Sequence, residues 1–283
     1  MIAAVAGRAR GGARRRRLAG LFAGLVVLVL LCLASLAFGS RSIPLRAVLD
    51  AILAHDARDD RHLIVWSLRL PRTAIALLAG LGLGVAGAVM QAVTRNPLAE
   101  PGLLGVNAGA AAATVLGACL FGVTTMAGYV WFGIAGAGLA GVAVFLLGRA
   151  HDTGTNPVRL VLAGAGLSVM LGAVTGIVLI NAPLSVLDTF RMWAAGSVAG
   201  RGFDIAGILA LATACGLAAA VSIAGNLNAI ALGEDLGRAL GLDTRLTLVL
   251  ACLCVMLLAG AATAAAGPIR FAGGGGAPLP PHA

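Results

Sequence analysis

The 283-residue sequence contains no lysine; all twenty of its basic residues are arginine. A nucleotide-binding P-loop needs a lysine against the phosphates, so any ATP used alongside this chain is hydrolysed by another subunit. Charge of either sign is scarce, at 11%, and a hydrophobic share of 60% leaves no water-compatible face for a soluble domain. The eleven acidic residues (Asp50, Asp56, Asp59, Asp60, Glu100, Asp152, Asp188, Asp204, Glu234, Asp235, Asp243) fall in polar stretches or at the ends of apolar runs. None sits mid-run, where ion-coupled carriers keep their coupling carboxylates. That disfavours an ion-driven carrier, although backbone carbonyls also bind sodium. The four histidines (His55, His62, His151, His282) are dispersed, without an HExxH pattern. The five cysteines (Cys32, Cys119, Cys215, Cys252, Cys254) lie in apolar runs without metal-ligand spacing and read as small membrane hydrophobes. No catalytic set, metal site or cofactor is predicted.

What is present is a succession of apolar runs. Seven reach membrane-spanning length or approach it, at about 18–38, 73–93, 103–121, 126–147, 160–180, 205–224 and 247–266. The fold expected is all-α and polytopic. Glycine is abundant, with 41 residues, and Gly80/Gly84, Gly105/Gly109 and Gly172/Gly176 have the small-xxx-small spacing that lets helices approach closely in lipid. A composition bias toward Gly and Ala would produce such pairs as well. The net charge of +9 is concentrated in residues 1–17, where Arg8, Arg10 and Arg14 to Arg17 precede the first apolar run. This asymmetry speaks to membrane orientation rather than to nucleic acid. The run after it is long for a signal-peptide core, so we expect an uncleaved first span with a cytoplasmic amino end. Over the whole chain, that cluster included, the arginines divide almost evenly between the two predicted sides, so orientation rests on the cluster.

Two stretches carry chemistry beyond apolar length. The first runs from 69 to 110. Arg69-Leu70-Pro71-Arg72 sets two guanidinium groups beside a proline suited to a helix start. An uncharged run of 21 residues comes next, from Thr73 to Val93, and then Arg95-Asn96-Pro97-Leu98-Ala99-Glu100-Pro101 brings back charge and two prolines. Those prolines remove backbone donors and stop either helix from continuing, while Asn96 can bond the broken backbone. A structural turn and a gate are both compatible with that pattern. For Arg69 and Arg72, a position at a span end allows snorkelling to lipid headgroups. The second stretch is 225–245, where Leu232, Leu236 and Leu240 recur every fourth residue and form one stripe of a short helix. Glu234 and Arg238 form an i,i+4 pair on another face, and Gly241 suits the residue just past a helix end. Such a helix lies in the headgroup layer or fills a groove on a partner.

These two stretches resemble the signatures of the FecCD-type permease family, the membrane subunits of type II ABC importers for iron-siderophores, haem and cobalamin. The likeness covers roughly residues 18–269. It implies an importer permease without an ATPase site of its own, in the bacterial inner membrane, with ATPase subunits as partners. It also implies an extracytoplasmic binding protein (lipoprotein or periplasmic), a second permease copy or paralogue, surrounding lipid, and no nucleic acid. By the resemblance, Arg69 and Arg72 face acidic residues of the binding protein, and Asn96, Pro97, Leu98 and the opposing Asn156 narrow the cytoplasmic mouth. Leu232, Glu234, Asp235, Leu236, Arg238, Leu240 and Gly241 belong to the loop that docks in a cleft on the ATPase. The cargo would be a ferric siderophore or a related metal chelate.

The likeness stops after Gly267-Pro268-Ile269-Arg270-Phe271. Family members continue through a Val-Gly-Leu-x-x-Pro-His stretch into three further spans, whereas this chain reads AGGGGAPLPPHA. The expected organisation is therefore a basic amino terminus at 1–17, an incomplete permease domain at 18–269 with seven of the family's ten spans, and an aberrant Gly/Pro-rich tail at 270–283. On that reading transport is poor or absent. The competing assignments are an ion-coupled secondary transporter and a non-functional truncated permease.

Overall fold

The computed structural model describes residues 2–39, 41–149, 157–231, 239 and 241–268. Among these residues every regular element is helical. They divide into two compact units, Met1–Thr73 and Ala74–Ala283.

The first unit holds α1 (Ile2–Ala37), α2 (Leu45–Leu53), α3 (Asp60–Ile64) and a π-helical turn (Val65–Arg69) that runs into α4 (Leu70–Thr94). The apolar part of α1, Leu18–Ala37, is 20 residues, about 30 Å at 1.5 Å per residue. The segment expected to be a polar loop after it contains helices instead. Ile43, Val48 and Ala51 bury against Leu36 and Val65 in a small core. Asp59 caps α3 by accepting from the Arg61 amide at 2.8 Å, and the Trp66 indole donates to the Ala51 carbonyl at 2.7 Å, closing the end of α2.

Pro71 does not start a helix. Helical backbone runs continuously from Asp60 to Thr94, giving a 35-residue segment. A proline inside a helix lacks the donor for the preceding turn. Here the widened turn at Val65–Arg69 lies directly ahead of it, with the Leu70 amide reaching back to the Val65 carbonyl. One extra residue in a turn also rotates the helix beyond it.

The second unit contains the rest of α4, a 3-10 turn (Pro101–Leu104), α5 (Val106–Phe121), α6 (Met126–Arg149), α7 (Pro157–Asn181), α8 (Leu184–Ala194), α9 (Phe203–Ala231) and α10 (Thr244–Ala266). Six helices among the described residues are long and apolar enough to span a bilayer. The predicted third span is shorter than expected. It becomes the 16-residue α5, about 24 Å long, with the 3-10 turn taking up its start. The predicted polar segment 181–204 carries α8, which begins after Pro183.

Helix α10 is the centre of this unit, with 78% of its apolar window buried. Small residues let its neighbours come close. An added Cβ on Gly133 would meet Ala264 at 2.7 Å, and one on Gly260 would meet Ala137 at 2.7 Å. The α5–α6 hairpin is tighter still, because Gly109 and Gly136 lie backbone to backbone and a Cβ on either would collide with the other's carbonyl. Asn107 of α5 accepts a 2.8 Å bond from Thr263 of α10, one polar fastening between the two helices. Of the three glycine pairs, only Gly105/Gly109 includes such a close approach; Gly80, Gly84, Gly172 and Gly176 have nothing within 4 Å of an added Cβ.

This difference is measurable. Gly109→Val and Gly136→Val should each destabilise the protein by about 1–3 kcal/mol or more through overpacking, whereas Gly172→Ala should leave it within about 0.5 kcal/mol. Denaturation of the purified variants in detergent micelles compares the three.

Candidate functional site

The side chains marked out by the sequence gather at helix ends. The carbonyls of the last helical turn have no partner within the helix and must find donors elsewhere. At the end of α1, Ala34 accepts from the Phe38 amide at 2.8 Å and Ala37 from the Ile43 amide at 3.0 Å. The rest comes from the RLPR stretch. Arg69 donates Nη1 to the carbonyls of Leu36 and Ala37, at 2.6 and 2.8 Å, and Nη2 to the carbonyl of Arg41. Arg72 donates Nη2 to the Ser35 carbonyl at 2.6 Å. The Ser35 and Thr73 hydroxyls bond each other at 2.8 Å, and Thr73 donates to the Arg69 carbonyl at the same distance.

Two positive groups thus sit on the negative end of a helix dipole. The π turn precedes this site and delivers Arg69 to the buried side, at 4% exposure. Gly39 leaves the space: a Cβ there would stand 3.2 Å from Arg69 Nη2. Arg72 is only half-buried. The two arginines are therefore unequal, which their placement on either side of Leu70-Pro71 does not suggest. Sequence reasoning missed the cap because its acceptors are backbone carbonyls some thirty residues away.

The second site is the turn after α4. Arg95 has φ +50°, the one positive value at a non-glycine position among the described residues. The Asn96 carboxamide accepts from the Leu98 amide at 2.9 Å, closing an Asx turn, and the Ala99 amide reaches the Asn96 carbonyl at 3.1 Å. Gln91 of α4 donates to the Pro97 carbonyl at 3.0 Å. Asn96, Pro97 and Leu98 are all exposed, Leu98 at 81%, while Ala99 is buried and anchors the turn. The structure thus brings those three together. Asn156 lies outside the described residues.

Of the third group, Leu232, Glu234, Asp235, Leu236, Arg238 and Leu240 also lie outside the described residues. Gly241 has φ +77°, the left-handed region that glycine enters freely. Just beyond it, Asp243 caps α10 by accepting from the Leu246 amide at 2.9 Å.

A fourth constellation was not foreseen. The buried Trp193 of α8 donates its indole N–H to the Ala264 carbonyl at 3.1 Å, and the Ser197 amide donates to the Ala266 carbonyl at 2.8 Å. Gly267, at φ +84°, packs its α-carbon against the Trp193 carbonyl and Gly196. These bonds close the end of α10. The amphipathic pattern of 184–194 after Pro183 was the available signal. Nearby in sequence, Arg201 is buried at 5% exposure, its Nε has no partner among the described residues, and burial lowers its pKa from the ordinary arginine value.

Long apolar helices joined by short polar turns, with polar groups concentrated at the helix ends, define an all-α polytopic membrane protein. The chain belongs to the FecCD transport family, whose sequence profile it matches over residues 27–273. It is 42% identical over 252 residues to the ferric enterobactin transport system permease protein FepD of Escherichia coli (strain K12), covering 88% of this chain and 75% of that one. It is 38% identical over 253 residues to the iron(3+)-hydroxamate import system permease protein FhuB of Bacillus subtilis (strain 168), covering 89% and 65%. Among solved structures, a metal-chelate type ABC transporter in an inward-facing conformation matches with TM-score 0.70 at 25% identity, covering 88% of this chain and 76% of that one.

Arg69→Ala should free the end of α1. Three charge-assisted bonds go with one side chain, and the local loss should be about 2–3 kcal/mol. Hydrogen exchange at residues 38–43 reads it as faster exchange, and Arg69→Lys should restore only part of the protection because one ammonium cannot span the three carbonyls.

Proposed function

We propose that this chain is the membrane-spanning permease subunit of an ATP-driven importer for a ferric siderophore or a related metal chelate. The observation that carries the reading is the likeness to FepD and FhuB, which extends across almost ninety per cent of this chain. Nucleotide hydrolysis belongs to separate ATPase subunits, in keeping with the absence of lysine. An extracytoplasmic binding protein delivers the chelate, and a second permease copy or paralogue completes the pathway. The amino terminus lies in the cytoplasm, with its arginine cluster held inside. Residues 18–269 form the permease domain.

Within that scheme the residues divide by side. On the outer side Arg72, half-buried, presents charge to an acidic surface of the binding protein, and Arg69 acts from behind by fixing the helix end on which Arg72 sits. On the cytoplasmic side the exposed Asn96–Leu98 turn, with Asn156 opposite, narrows the exit. Leu232, Leu236 and Leu240 enter a cleft on the ATPase, with Glu234, Asp235 and Arg238 on the polar face and Gly241 ending the helix.

Two measurements test this. The chain should capture its cognate ATPase from solubilised membranes, and Leu236→Glu should abolish capture, since a carboxylate buried in an apolar cleft is strongly unfavourable. Absence of an ATPase partner, or capture that survives the substitution, counts against the reading. Arg72→Glu should weaken binding-protein affinity about tenfold and flatten its salt dependence, as expected for loss of an attractive rim charge. Unaltered affinity would remove Arg72 from the docking surface.

A further inference from the structure

The Arg95 side chain ties the turn that the proposed function places at the cytoplasmic mouth to the end of α9. Its Nη2 donates to the carbonyl of Ile230 at 2.7 Å, across 135 residues of chain. Ile230 is the penultimate residue of α9, so this carbonyl is one of the four that the helix leaves without an internal partner. A guanidinium there also meets the negative end of the α9 dipole. The residue making this bond is the one held at φ +50°, a conformation that side chains longer than those of Asn or Asp rarely adopt. Directly after it comes the Asn96–Leu98 turn. Directly after Ile230 and Ala231 comes the 232–240 segment.

Above this bond α4 and α9 line a groove of about 330 Å³, walled by Val85, Val89 and Ala92 on one side and Leu217, Val221 and Leu227 on the other. Apolar walls resist separation but give no directional hold along the helix axes. The Arg95–Ile230 bond is directional and lies at the end of the groove beside the Asn96–Leu98 turn.

We propose that Arg95 is a positioning residue that straps the Asn96–Leu98 turn to the end of α9, so that displacement of that helix end carries the turn with it. This rests on the reading of 232–240 as the ATPase-docking segment. In a permease so strapped, closure of the ATPase subunits acts on α9 and reaches the exit through one side chain. A backbone strained at Arg95 is then the cost of aiming that side chain across the groove.

The test uses the full chain in nanodiscs, with spin labels at Leu98 and Asn228 in a cysteine-free background, and compares the unaltered residue with Arg95→Ala and Arg95→Lys. The inter-label distance distribution should broaden in the alanine variant and narrow again in the lysine variant, whose ammonium can still reach a carbonyl. Addition of the ATPase should shift the label at Leu98 only when Arg95 or lysine is present, while the amount of ATPase captured stays the same in all three. Equal distributions in all three proteins, or an ATPase-induced shift of the Leu98 label that survives in Arg95→Ala, overturn the strap. Failure of the unaltered chain to capture ATPase overturns the docking reading instead, and the label distances still decide whether the strap exists.

Discussion

A carbonyl at the end of a helix must find a donor, and at a membrane that donor has to be supplied by the protein if water is shut out. The structure meets this demand at three long helices with groups from distant parts of the chain. Arg69 and Arg72 close α1, Arg95 bonds the end of α9, and Trp193 with the Ser197 amide closes α10. Each closure also fixes where one element stands against another. The residues that look like signatures in sequence are, in large part, residues that finish helices.

Close packing works with this constraint inside the second unit. Without a hydrophobic drive between helices in lipid, contact depends on small residues and a few polar links. Helix α10 satisfies both, with its run of alanines near the carboxyl end and the Thr263–Asn107 bond. The close α5–α6 approach at Gly109 and Gly136 shows the same physics at its limit, where the pair has no room for a methyl group.

The all-α character and most of the spans were legible because long uncharged runs have few alternatives. Less legible was everything that depends on what a segment packs against. Helices α2 and α8 are short and amphipathic, and polar residues on their outer faces made their segments read as loops. Pro71 read as a helix start because the turn that accommodates it is visible only in the backbone. Among the site residues, the Asn96–Leu98 turn was readable from asparagine beside proline, since both act on neighbouring backbone. The roles of Arg69, Arg72 and Arg95 at helix ends were not, since each bonds carbonyls, which every residue has, and their positions in sequence carry no mark. Glycine spacing was readable but indiscriminate: Gly172 and Gly176 have the same separation as Gly105 and Gly109 without a neighbour against them.

The capping of α1 by residues more than thirty positions later bears on how the protein is made. A chain enters the membrane in order from its amino end, so α1 is in place before Arg69 and Arg72 have been synthesised. Until they emerge, its last turn has carbonyls with no protein partner and must rest where headgroups or water can reach them. The first span is thus inserted early and completed late. Its carboxyl end is fixed not when its own apolar length has entered but when the segment that opens α4 arrives.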